Sequence, residues 1–199
     1  MSAPARSEVG AVSAEPPSAD PPSADPPSTD PQSVARLIAL RLLESAPRTR
    51  VELERALARR GVPSDAATAV LDRFTEVGLI DDEAFAQAWV TSRHNGRRLG
   101  RRALSSELTR RGVAAATVAS AVATVSADDE ESAARALVAR RLRTMDGLPV
   151  QTQVRRLVGM LGRKGFSQAL AARVAREAVA ADDAVTAADA DAGEGPRRC

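Results

Sequence analysis

Leucine, valine and other apolar residues recur along this chain at intervals of three and four, the spacing that gathers side chains onto one face of an α-helix. Val34, Leu37, Ile38 and Leu42 fall on one such face, with Ser33 placed to cap the helix. The spacing returns at Val70, Phe74 and Val77, at Phe85 and Trp89, and at Leu104 and Leu108. It is fullest at Val154, Leu157, Val158 and Leu161. No stretch of useful length alternates apolar and polar residues as a half-buried strand does. The pattern predicts helices through nearly all of residues 33–180.

One phrase punctuates these helices three times: "LARRGV" from Leu57, "LTRRGV" from Leu108 and "LGRKGF" from Leu161. Its glycines, Gly61, Gly112 and Gly165, lie 51 and 53 residues apart. A glycine just past a helix end takes the left-handed conformation at little steric cost, and an apolar residue after it packs back onto the last turn. Val62 pairs in this way with Leu57, Val113 with Leu108 and Phe166 with Leu161. The two cations before each glycine meet the negative end of the helix dipole. Each phrase therefore reads as a helix stop. Pro63, Ser64, Asp65 and Ser167 are good starters for a helix that follows directly.

A period of about 50 residues has room for three helices joined by short loops. The copies span 33–80, 81–127 and 128–180, and their first helices contain "VARLIALRLL", "AFAQAWVTSR" and "AARALVARRL". The expected fold is all-α: an elongated tandem array of three three-helix repeats, each touching mainly its neighbours.

Composition agrees with this and adds a charge partition. The chain is 44% hydrophobic and 27% charged, with 2% aromatic residues and no Tyr, which suits helices better than a sheet. Its net charge of +2 divides into −4 over residues 1–32, +9 over 33–180 and −3 over 181–199. The pentad repeat "PPSADPPSADPPSTD" predicts an extended, solvated linker, so 1–32 and 181–199 are expected to be disordered acidic tails. No run is long and apolar enough for a membrane span or a signal peptide. The single cysteine, Cys199, excludes an intramolecular disulfide and suits a reducing cytoplasm.

Little in the chain points to reaction chemistry. Asp81-Asp82-Glu83 and Asp128-Asp129-Glu130-Glu131 stand at helix starts, where acids favour the dipole, and no neighbouring His or Cys completes a metal site. His94, the lone histidine, has no nucleophile motif beside it and reads as a capping or surface residue. Phosphate loops, nucleophile elbows and zinc spacings are missing, so no enzyme, no catalytic residue, no metal and no cofactor is expected. The exception to this blandness is cationic. Arg93, Arg97, Arg98, Arg101, Arg102, Arg110 and Arg111 crowd the central repeat against the single acid Glu107. Guanidinium forks match phosphates and carboxylates, so these seven are the candidate contacts for a phosphate backbone or an acidic protein surface. Base stacking is not expected, because the four aromatic residues Phe74, Phe85, Trp89 and Phe166 stand at core-like spacing.

The run from Val70 to Val113, with "GLIDDEAFAQAWVTSR" at its centre, and the later "VRRLVGMLGRKGFSQALAARV" resemble the RecX family, bacterial regulators of the RecA recombinase. The resemblance covers residues 33–180. It implies tandem three-helix repeats, no catalytic residues, and a cytoplasmic, monomeric modulator that inhibits RecA by lodging in the groove of its filament on single-stranded DNA. Asp81, Asp82, Phe85 and Trp89 match the family pattern as cap and core. DNA repair, recombination and the SOS response would be affected, with single-stranded DNA a secondary contact and double-stranded DNA a weaker one. The alternative is a stand-alone helical DNA-binding protein that uses the basic central repeat, with Leu99–Arg111 as its recognition helix.

Overall fold

All three glycines of the repeated phrase adopt positive φ, at +75°, +85° and +87°. Each ends a helix in the same manner: α2 (Arg50–Ala58), α5 (Arg101–Arg110) or α8 (Val150–Arg163). The N–H groups of Val62, Val113 and Phe166 donate to the carbonyls of Leu57, Leu108 and Leu161, each at 3.2 Å. This bond across the glycine is the Schellman closure. The three leucines at its base are wholly buried.

The structure is a computed structural model that describes residues 30–193, with side chains described through residue 184. Nine helices and no strand occur among the described residues. Around α2 are α1 (Pro31–Ser45) and α3 (Ser64–Glu76). Around α5 are α4 (Asp82–Arg97) and α6 (Ala115–Ala123), and around α8 are α7 (Ala127–Leu142) and α9 (Gln168–Gly193). Each triplet encloses its own apolar cluster, centred on Leu53, Leu57 and Phe74, on Leu104, Leu108 and Val90, and on Leu157, Leu161 and Phe166. The expected three-helix repeats are therefore present in tandem.

The start of α1 differs from expectation. Asp30 caps it, accepting from the N–H groups of Gln32 and Ser33, so Ser33 is inside the helix and is not its cap. The buried face carries Ala35 and Ala39, while Leu37 is 59% exposed and Ile38 and Leu42 are only partly covered. Alanine allows close helix packing, and the larger side chains lie at its margin. At the other end α9 continues past Ala180 to Gly193, as an alanine-rich segment with high helix propensity can. The pentad segment up to residue 29 and residues 194–199 lie outside the described residues.

The middle helices stack end to end in the order α8, α5, α2. Lys164, past the end of α8, receives the Gly100 N–H at 2.9 Å, and Gly165 receives the Arg102 N–H at 3.2 Å. Arg111, past the end of α5, receives the Thr49 hydroxyl at 2.7 Å. Acids from the following repeat complete each junction: Asp82 accepts from the Arg50 N–H at 2.9 Å, and Glu130 from the Arg101 N–H at 3.0 Å. Helix-end carbonyls and helix-start donors, which a lone helix leaves unsatisfied, thus satisfy one another across the repeats.

Both ends of this column are modified. Asp82 and Glu130 precede the fully buried Ala86 and Ala134 by four residues, and the matching position before Ala35 is Pro31. Thr49 and Gly100 precede Leu53 and Leu104 by four, and the matching position before Leu157 is Gln153. Gln153 does not start α8, because the helix begins a turn earlier, at Val150. It is buried and donates to the Leu148 carbonyl at 2.9 Å. The first repeat thus lacks the acid that would cap a preceding neighbour, and the third lacks an open helix start.

Candidate functional site

The seven arginines proposed from sequence do not form one surface. Arg93 and Arg111 flank the half-buried Trp89, with guanidinium carbons 4.0 and 3.8 Å from its ring centroid. Phe85 stacks on the same indole with centroids 5.7 Å apart. Glu107 accepts from the Trp89 indole N–H at 2.9 Å and lies 3.8 Å from Arg93, while Arg111 pairs with Glu52 of the first repeat at 2.5 Å. Cation–π contact of partly desolvated guanidinium is worth about 1–2 kcal/mol. Arg111 therefore ties the second repeat to the first through Glu52, while Arg93 joins α4 to α5 within the second repeat.

Arg101 belongs to the second junction. Its guanidinium pairs with Glu130 at 3.6 Å and donates to the Val125 carbonyl. Arg97 ends α4, and Arg98 follows it at φ +50°, the one described non-glycine residue with positive φ. Beside them His94 donates through Nδ1 to the Leu99 carbonyl at 3.0 Å, a link between α4 and the loop that precedes α5. The side chains of Arg97, Arg98, Arg102 and Arg110 are exposed and make no hydrogen bond or ion pair among the described residues. The central repeat thus has three cations engaged in structure and four available.

A basic groove that the sequence reading missed lies in the third repeat. Arg141 of α7 faces Arg155, Arg156 and Arg163 of α8 across a floor of Met145, Gly159 and Met160, in an open space of about 520 Å³. It is the counterpart of the Trp89 cluster. Arg141 occupies the place of Arg93, Arg163 that of Arg110, and Met160 that of Glu107, when the repeats are aligned on their buried alanines and leucines. With methionine in place of glutamate, no carboxylate lines this groove. Aligning the repeats, rather than counting charges along one of them, is the signal that finds it.

The acidic clusters are capping devices. Asp81 accepts from the Ala84 N–H at 2.8 Å, and Ser126 and Asp129 form a reciprocal capping box at the start of α7. The Ser126 hydroxyl holds the Asp129 carboxyl below its ordinary value, and hydrogen bonding from Arg173 does the same for Glu131. No group of three or more metal-ligating side chains occurs among the described residues. No helix among them is long and apolar enough to cross a membrane.

Each of the three repeats contains a match to a known domain. The first three-helix domain of RecX matches residues 35–74, the second matches 81–122 and the third matches 128–174. The chain belongs to the RecX family. A regulatory protein RecX from Thermobifida fusca is 55% identical over 148 residues, covering 74% of this chain and 80% of that protein. One from Mycolicibacterium smegmatis is 48% identical over 141 residues, covering 69% and 75%. The crystal structure of RecX from Lactobacillus salivarius shares the fold, with a TM-score of 0.70 at 19% identity over 75% of this chain and 97% of that one. The role that comes with RecX membership is regulatory, and the string from Gly78 to Arg93 that suggested the family falls mostly inside the matched second domain.

Proposed function

We propose that this protein restrains the RecA recombinase by seating its three-repeat array in the groove of the RecA filament on single-stranded DNA. Inhibition of ATP turnover, strand exchange and filament growth would follow, with effects on DNA repair, recombination and the SOS response. The observation that carries this reading is the 55% identity to a regulatory protein RecX across the repeats. A tandem array with separate cores supports it physically, because repeats that each offer a weak contact bind strongly together when a filament presents its subunits at high effective concentration. The altered outer faces of the first and third repeats favour a monomer.

The test is a RecA ATPase assay on single-stranded DNA with the full chain titrated in. Turnover should fall with added protein, and inhibition should survive salt that abolishes binding to bare strands, since phosphate contacts alone weaken steeply with salt. ATP turnover and filament length that stay constant at every ratio would reject the regulatory reading. Inhibition that vanishes at the same salt as bare-strand binding would favour the stand-alone DNA-binding protein.

A further inference from the structure

The two cations of each repeated phrase have different fates. The second is engaged every time: Arg60 donates to the Ala56 carbonyl at 3.0 Å, Arg111 pairs with Glu52, and Lys164 donates to the Arg97 carbonyl at 2.9 Å. The first, Arg59, Arg110 or Arg163, is exposed, and its guanidinium makes no hydrogen bond or ion pair among the described residues. Eight residues before Arg110 and Arg163 stand Arg102 and Arg155, also exposed and unpaired. At 1.5 Å per residue, each such pair is about 12 Å apart along its helix.

Stacking of the middle helices brings these positions onto one column. Arg102 donates its N–H to Gly165, two residues beyond Arg163, and the Arg55 guanidinium reaches the Arg110 carbonyl at 3.4 Å. The order along the column is Arg155, Arg163, Arg102, Arg110 and Arg59. On these three helices Glu52 and Glu107 are paired with other groups, Glu54 is the exposed carboxylate, and α8 carries none. Arg141 and Arg156 broaden the positive surface at the α8 end.

We propose that this column of arginines binds the phosphodiester backbone of one nucleic-acid strand, without regard to base sequence. A row of free guanidinium groups along one column suits an extended polyanion, and the planar fork of arginine suits phosphate oxygens. No aromatic residue lies on the three helices, and Trp89 is covered by two guanidinium groups, so bases have nothing to stack on. The inference rests on the proposed reading only in that DNA is part of the target. It assigns that contact to the middle-helix column and is tested without the recombinase, so either can fail alone.

The experiment is fluorescence anisotropy of a labelled oligothymidylate with the full chain over a range of salt. The variant R59A/R102A/R110A/R155A/R163A is compared with R36A/R41A/R140A/R143A/R176A, which removes the same charge away from the column. Each lost phosphate contact lowers the slope of log affinity against log salt by about 0.7 for a single strand, so the column variant should lose about 3.5 and bind more than ~10-fold more weakly. The control should retain most of its slope. Equal losses in the two variants would reduce the effect to net charge and overturn the assignment. Displacement of the strand by polyglutamate at matched charge would overturn it too, by identifying an acidic protein surface as the ligand. Circular dichroism checks the fold, and the milder R110A/R163A, with an expected slope change of about 1.4, serves if the larger variant unfolds.

Discussion

Between the first and second repeats, side chains make the junction: the Thr49 hydroxyl reaches the Arg111 carbonyl, and Glu52 pairs with Arg111. Between the second and third, main chain meets main chain, as Gly100 and Arg102 donate to Lys164 and Gly165. Glycine permits the difference. A Cβ on Gly100 would lie 2.7 Å from backbone atoms of Gly165 and Phe166, whereas the Thr49 side chain takes up the matching space with a hydroxyl bond. One architecture is thus closed by two chemistries, and the backbone form has no flexible atom to move aside.

Three copies of one glycine should consequently respond unequally to alanine. Gly165→Ala combines positive φ with a Cβ 2.3 Å from the Ala103 nitrogen and should cost about 4 kcal/mol. Gly112→Ala meets only the Val51 side chain, at 2.5 Å, and should cost about 2–3 kcal/mol. Gly61→Ala finds open space and should show the left-handed penalty alone, about 1–2 kcal/mol. Thermal or urea melts of the three proteins check the ranking. Equal melting temperatures would mean that the phrase acts only as a helix stop.

Thr49→Val keeps shape but loses the hydroxyl that caps α2 and spans the first junction. It should cost about 1–2 kcal/mol in the same melts. A change below a few tenths would remove that bond from any role in joining the repeats. The smallest effect concerns acid. Asp129 and Glu131 sit below their ordinary values of 3.8 and 4.5 in the folded protein. Their stabilisation is present above those values and is lost as pH falls through the lower, folded ones. Melts taken below about pH 4 should therefore weaken the third repeat, and Asp129→Asn with Glu131→Gln should flatten that dependence. A pH profile unchanged by the double substitution would assign the acid sensitivity elsewhere.

Helix stops and the threefold period were legible in the sequence because they are local: a glycine, a following apolar residue and a leucine five positions earlier suffice. The contacts of Asp82 with Arg50 and of Glu52 with Arg111 were not, since partners 32 and 59 residues apart leave no local signature. For the same reason the basic cluster of the central repeat looked uniform. Trp89 read as core, and nothing in its neighbourhood announces that Arg93 and Arg111 would cover it. The third-repeat groove was hidden differently, because Arg141 and Arg155 belong to helices that look ordinarily charged until Met160 is set beside Glu107.

The proline at position 31 and the additional turn at the start of α8 have a consequence for self-assembly. A stack whose inner faces fit one another could in principle recruit further copies and grow into fibres. Among the described residues, Pro31 stands where Asp82 and Glu130 stand in the other repeats, and α8 begins a turn before the level at which α2 and α5 start. The contacts that join successive repeats are therefore not offered again by Pro31 or by the start of α8.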